Sequence, residues 1–216
     1  MKIRWLGHAS FEITTKAGTV LITDPYDPSL GIKLPKVSAD AVTVSHGHFD
    51  HAAVSEVGGK PTVIKSLAGG EVKDISVSGV GTFHDESGGS KRGDNIVFII
   101  EVKENGDTIR LCHAGDLGHT LDEAAAGKLK DIDILMLPVG GTFTLDASGA
   151  TRVVEQIKPG IVIPMHYKIK GLDLDIAGAD GFLAGKKDTA HQRELDIAAK
   201  DIPTETRVVV LEPQNK

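Results

Sequence analysis

The sequence predicts an α+β fold, with two sheets packed face to face and helices outside them, a four-layer αββα sandwich. Three observations predict it. The chain runs strands, a short helix and more strands, and does so twice over. Most of the His and Asp residues that invite chemical explanation sit in or beside the loop after an apolar run, which brings strand ends together along one edge. Finally, at 40% hydrophobic with 25 glycines, the 216 residues can bury a sizeable core and make many tight turns. Aromatic residues are 4%, so that core is expected to be mainly Val, Ile, Leu and Ala. No Pro/Ser-rich linker or composition shift divides the chain, and residues 1–216 read as a single domain.

In chain order, residues 2–6, 10–15 and 19–23 read as short strands broken at Gly7-His8 and at Lys16-Ala17-Gly18. The third runs into Asp24-Pro25, where proline ends ladder pairing. A Pro-rich, charged loop spans 25–40, and Ala41-Val42-Thr43-Val44 is the next apolar run. Residues 52–57 predict a short helix stopped by Gly58-Gly59. Pro61–Lys65 and Ile75–Val80 read as strands, the second with period-two alternation and ending near His84. A polar run, Asp85 to Asp94, follows. Residues 95–102 and 108–112 predict a strand pair joined by an Asn105-Gly106 turn. Ala124–Lys130 reads as a surface helix and Ile132–Pro138 as a buried strand. A Gly-rich turn, Val139–Thr144, leads to a helix capped by Asp146 with Ala147, Ala150, Val153, Val154 and Ile157 on one face. Ile161–Tyr167 is again an apolar run ending on His. Residues 168–190 read as a loop, Ala190–Lys200 as a helix and Arg207–Leu211 as a closing strand.

Ser45-His46-Gly47-His48-Phe49-Asp50-His51 places three imidazoles and a carboxylate in six residues directly after an apolar run. Neutral imidazole and carboxylate suit borderline divalent metals, zinc first. In extended backbone, residues two apart share a side, so His46 and His48 can reach one ion. A turn after them directs Asp50 and His51 toward a second.

This His-x-His-x-Asp-His arrangement resembles the signature of the metallo-β-lactamase superfamily, whose members are mostly metal-dependent hydrolases. The likeness extends to Gly-His-Ala at 7–9, Thr-Asp-Pro at 23–25, His-Ala-Gly-Asp at 113–116 and Pro-Met-His-Tyr at 164–167. Those segments are similar to members related to ascorbate-phosphate lactonase and to phospholipase-D-like members. The resemblance implies His84 as the third ligand beside His46 and His48, with His113 as its rival. It implies Asp50, His51 and His166 around a second ion, with Asp116 bridging the two. Asp24 would brace a ligand histidine, the usual partner of a metal-bound imidazole. His8 would lie near the site mouth or serve as a structural turn residue, and Tyr167 would touch substrate or simply pack. The implied cofactors are two divalent ions, Zn2+ first, with Mn2+ or Fe2+ as alternatives. Such a pair lowers the pKa of a shared water to roughly 7, so that hydroxide attacks a lactone or phosphodiester of a small-molecule substrate. Asp50 and Asp116 are the expected catalytic carboxylates. An iron-dependent oxidoreductase and a nuclease of the tRNA-processing type are the alternative readings.

A net charge of −6 argues against a nucleic-acid partner, whose phosphates favour basic stripes. The single cysteine, Cys112, excludes an intrachain disulfide and a Cys-based zinc cage. Its apolar neighbours predict a buried, inert thiol. The stretch Met1–Leu6 opens no long apolar run and no cleavage-site pattern follows, and nowhere do 18 apolar residues run together, so neither a signal peptide nor a membrane span is expected, and a cytoplasmic location is the default.

Overall fold

The structure, a computed structural model, describes residues 1–215. Its strands are β1 (Lys2–Gly7), β2 (Ser10–Thr14), β3 (Val20–Thr23), β4 (Ser38–Thr43), β5 (Gly58–Ile64), β6 (Gly70–Val72), β7 (Ile75–Phe83), β8 (Asp94–Glu104) and β9 (Asp107–His113). Helix α1 (Glu123–Lys128) precedes β10 (Ile134–Pro138), and α2 (Ala147–Ile157) precedes β11 (Ile161–Met165). After α3 (Asp180–Leu183) come β12 (Thr189–Gln192), β13 (Leu195–Asp196) and β14 (Arg207–Leu211).

Two mixed sheets result. The first has the order β13-β1-β2-β3-β4-β5, and the second β12-β14-β11-β10-β9-β8-β7-β6. Period-two alternation explains how they meet. Ile3, Trp5, Phe11, Ile13 and Leu21 of the first sheet turn inward onto Val77, Phe98, Ile100, Leu111 and Ile163 of the second, in one continuous buried core. Each fully buried aliphatic side chain there contributes about 1.5–3 kcal/mol of transfer free energy. Strands β10 and β11 are buried at every position, because helices cover the far side of the second sheet. Helix α2 supplies that cover with Ala150, Val153 and Ile157; Asp146 caps its start by accepting from the Gly149 amide at 2.7 Å.

The outer layer on the first sheet is thinner. Ile22, Val42 and Val44 are covered by Val57, Leu34, Val37 and Val54, from loops and a single 3-10 turn. The helix expected over 52–57 is therefore only that turn, Val54–Glu56, since β5 already begins at Gly58 and leaves no room for a second turn.

A larger difference lies near the C-terminal end. Residues 190–200 do not form a helix. Thr189–Gln192 pairs in parallel with Val208–Leu211, and Leu195 pairs with Ile3. Open edges of both sheets capture this segment, and ladder pairing overrides the helical preference of its Ala, Leu and Lys residues. His191 is exposed, now on an edge strand. Strand β6 was not expected from the sequence, and the 168–190 loop carries the short α3.

Strands β1, β3, β4, β7, β9 and β11 all end on the same edge of the sandwich, since antiparallel neighbours intervene in pairs and the remaining pairings are parallel. Whatever follows those six strand ends converges there, as ligand-binding residues do at the carboxyl ends of open sheets. No helix is long and apolar enough to cross a membrane among the described residues.

Candidate metal centre

The residues that follow those ends are His8, Asp24, His46, His84, Asp116 and His166. Three of them, His8, Asp24 and His166, hold left-handed backbone with φ of 53°, 36° and 50°. Asp, Asn and His tolerate that region better than other non-glycine residues, at a cost of order 1–3 kcal/mol each. Each reverses the chain at once after its strand, so that its side chain turns back to the edge instead of continuing the pleat.

The 45–51 segment follows β4 as a run of bends. The pairing of His46 and His48 thus arises from the loop and not from strand alternation: His46 Nε2 lies 3.1 Å from His48 Nδ1. A turn closes when the His51 amide donates to the His48 carbonyl at 3.0 Å; it directs Asp50 toward His8 and sets the His51 ring against the other side of His46, with centroids 4.3 Å apart.

Donor atoms gather in three overlapping groups, each with all members within 4.8 Å of one another: His46, His48 and His84; His8, Asp50, His51 and His166; and Asp24, His46 and His51. Asp116 stands between the first two. Its Oδ2 is 3.0 Å from His84 Nε2, 3.4 Å from His166 Nε2 and 3.9 Å from His46 Nε2, and its Oδ1 is 3.2 Å from His51 Nε2. Gly115 before it is required twice over. Its φ is +54°, and a Cβ there would strike the side-chain Oδ1 of Asn95 and come within 2.7 Å of Ser45 Cβ. Asn95 also accepts from the Asp116 amide at 2.9 Å, which fixes the carboxylate's approach.

The imidazoles are oriented from behind. Asp24 accepts from His51 Nδ1 at 2.8 Å, and its remaining capacity is taken by the Ser45 amide at 2.8 Å and the Ser45 hydroxyl at 2.5 Å. His84 Nδ1 donates to the Phe143 carbonyl at 3.1 Å. Both rings therefore present Nε2 to Asp116, the tautomer a metal ligand needs. Buried polar atoms lacking a hydrogen-bond partner include His51 Nε2, Asp116 Oδ1 and His166 Nδ1, and the first two face each other across the site. Such atoms are rare in folded proteins, and a divalent cation among them would satisfy them. The donor set fits that reading: imidazole nitrogens and carboxylate oxygens, with no thiolate.

The local electrostatics agree. Burial, with the nearby His51, pushes His46 down to about 3, so its ring is neutral and free to ligate. Burial would raise the Asp116 carboxyl, but the imidazoles of His166 and His51 outweigh it and hold the group well below the usual carboxylate range. His51 is the reverse case. Burial disfavours its charge, yet Asp116 and Asp24 raise it well above the ordinary histidine value.

The rival pair separates clearly. His113 is the last residue of β9 and is wholly buried; its Nε2 donates to the Ala9 carbonyl at 2.7 Å, and it belongs to none of the donor groups. His84 does belong. His8 is buried, not at the mouth, with Nε2 3.1 Å from Asp50 Oδ2 and its ring centroid 4.1 Å from that of His166. Burial and His166 lower it to about 4, so it donates to Asp50 as a neutral ring. Tyr167 packs on Trp5, with centroids 5.0 Å apart, and burial raises its hydroxyl to about 12. It packs in the core and is not among the residues that line the cavity over the site.

Over the site opens a cavity of about 520 Å3 lined by His48, Asp50, His84, Asp116 and His166 on its floor. Phe49 (55% exposed), Phe143, Leu174 and Arg92 form its walls. Phe143, Leu174 and Arg92 were not legible in the sequence, as none belongs to a metal-ligand spacing, and Phe49 sits inside that spacing without being a ligand type. In the Gly-rich turn after β10, the amides of Gly141, Phe143 and Thr144 are spent within the loop. Gly140 is needed there because a Cβ would meet the His166 carbonyl oxygen.

Comparison with known proteins agrees with this architecture. The β-lactamase superfamily domain matches residues 2–166. A UPF0173 metal-dependent hydrolase of Anaeromyxobacter dehalogenans is 33% identical over 238 residues, covering 90% of this chain and 84% of that protein. One from Thermoplasma acidophilum is 32% identical over 193 residues, covering 77% and 83%. A crystal structure from Thermotoga maritima, described provisionally as a Zn-dependent hydrolase of the metallo-β-lactamase superfamily, superposes with a TM-score of 0.80 at 37% identity, covering 99% of each chain. The chain belongs to the metallo-β-lactamase superfamily, among its UPF0173 metal-dependent hydrolases.

Proposed function

We propose that the protein hydrolyses an ester-type bond, a lactone or a phosphodiester, in a small substrate. His46, His48 and His84 would hold one divalent ion and Asp50, His51 and His166 another, with Asp116 shared. Zinc is the first choice for this donor set, with manganese or iron as alternatives. The observation that carries the reading is the position of Asp116, whose two oxygens face imidazoles of both donor groups. Divalent ions bound there supply Lewis acidity and a nucleophile active at neutral pH.

The chain's own residues supply the rest. Asp24, Ser45 and the Phe143 carbonyl hold the imidazoles in one tautomer and one orientation. Asp50 lies on the cavity floor with its side chain 13% exposed, and His8 donates to it from the interior. That hydrogen bond keeps the carboxylate ionised, able to take a proton from the attacking water and return it to the leaving oxygen. Phe49, Phe143 and Leu174 exclude water from the faces of a bound substrate.

Elemental analysis of the purified protein, paired with phosphodiester and lactone substrates, tests this. Near two zinc or manganese ions per chain, with hydrolysis abolished in Asp116→Ala, is the expected result. Bound iron without hydrolysis would replace the reading with redox chemistry, and a chain that takes up no metal would end both.

A further inference from the structure

Beside the cavity over the metal centre lies a second, polar one of about 500 Å3, and Arg92 and Phe143 line both. The second cavity is built from the 85–92 run, the 118–120 segment, the turn after β10 and the start of α2. Its cationic side chains are Lys91, Arg92 and Arg152. None has a carboxylate within 4.0 Å among the described residues, although Arg4, Arg110 and Arg207 elsewhere on the surface each do.

Its acids are differently placed. Asp85 accepts from the amides of Ser87, Gly89, Lys91 and Arg92, at 2.7–3.1 Å. Asp146 accepts from the Gly149 amide as the cap of α2. Only Glu86, exposed at the rim, is uncommitted. Formal charge in the cavity is balanced, three against three, so an overall positive field is not what it offers. It offers hydrogen-bond donors instead. Arg92 is the half-buried one at the junction. One terminal nitrogen donates to the Thr142 carbonyl at 3.1 Å, and the guanidinium lies 5.4 Å from the centroid of Phe143. A guanidinium carries five N–H groups, so several remain for a ligand, and its fork matches carboxylate or phosphate.

We propose that Arg92, between the two cavities, selects substrates bearing an anionic group, carboxylate or phosphate, that extends from the scissile bond into the polar cavity. This rests on the hydrolase reading above and adds a substrate class to it. Lys91 and Arg152 line the polar cavity alone and meet longer or doubly charged groups.

The test compares ligands that differ only in charge. N-(4-nitrophenyl)glutaramic acid and N-(4-nitrophenyl)pentanamide are amide isosteres of equal reach, and calorimetry on the zinc-loaded protein gives the ratio of their Kd values. The expected result is a preference for the acid of about tenfold, the factor that 1.4 kcal/mol of binding gives. In Arg92→Gln the ratio falls toward one, and Arg92→Lys does not restore it, because an ammonium lacks the fork. Arg152→Gln, which leaves the Thr142 hydrogen bond in place, lowers the ratio by a smaller factor and guards against a folding defect in the Arg92 variants. A ratio near one in the wild type, failure of the acid to bind, or a preference that survives in Arg92→Gln would overturn the proposal. The last outcome would mean that the carboxylate sits on the metal ions instead. The corresponding 4-nitrophenyl esters are assayed in parallel, together with a phosphodiester. Charge-selective binding without any turnover would leave the Arg92 subsite standing and remove the hydrolase reading.

Discussion

Asp24 and His51 are both fully buried and meet through a 2.8 Å hydrogen bond from Nδ1 to Oδ2, 27 residues apart in the chain. The same carboxylate accepts from the backbone and side chain of Ser45, so one acidic group ties the β3 end, the β4 end and the His51 imidazole together. Asp24→Ala removes all three acceptor contacts. It is expected to lower metal affinity by about 10–100-fold and to lower Tm. Competition with a chelator of known affinity, beside a thermal melt, checks both. Unchanged affinity would make Asp24 a purely structural cap.

His84 and His113 give opposite expectations. His84→Ala should lose about one metal equivalent per chain while the fold persists, since its ring faces the centre. His113→Ala should keep its metal and lose stability, by roughly 1–3 kcal/mol for the orphaned Ala9 carbonyl alone. Metal analysis and denaturant unfolding of the two variants separate the roles, and the reverse outcome would exchange them.

Metal uptake should release protons. In the metal-free protein His51 is raised well above the ordinary histidine value by Asp116 and Asp24, and His84 is raised by Asp116 against the effect of burial. Both are protonated below their raised pKa values, and an ion must displace those protons to bind. Affinity for zinc therefore falls as pH drops through the raised values and levels off above them. Titrations in two buffers of different ionisation enthalpy count the protons released. Zero release would contradict the assignment of these rings as ligands.

Cys112 is completely buried on β9, and burial raises its thiol to about 12. Native protein should resist iodoacetamide at neutral pH and react fully once unfolded. Mass spectrometry before and after denaturant reads this directly; rapid native labelling would show that β9 opens.

His8 is held to Asp50 by one hydrogen bond from the interior. His8→Gln, which can still donate, should retain more activity than His8→Ala, and both leave the proposed ligands of the 46–51 loop in place. Loss of activity by about tenfold or more in the alanine variant, with metal content unchanged, is the expected pattern. Equal loss in both variants would point to packing against His166 instead.

The sequence by itself determined the loops that matter, because local chemistry writes them. An apolar run ending on His or Asp is visible in one dimension at 46–51, 84, 113–116 and 166, and so is the cap of α2 at Asp146. Most strands, though not β6, β12 or β13, were likewise legible from apolar runs and period-two alternation, and the shared edge from the way each run ends in a polar residue. Only the tertiary structure decided which imidazole faces inward. His84 and His113 both end strands, and their roles differ because β7 delivers one beside the Phe143 carbonyl while β9 delivers the other under Ala9. Only the tertiary structure buried His8 and Tyr167, drew residues 189–196 into two sheet edges, and set Arg92 between two cavities. Spacing along a chain limits what neighbours can reach, and long-range packing settles which of the reachable partners is met.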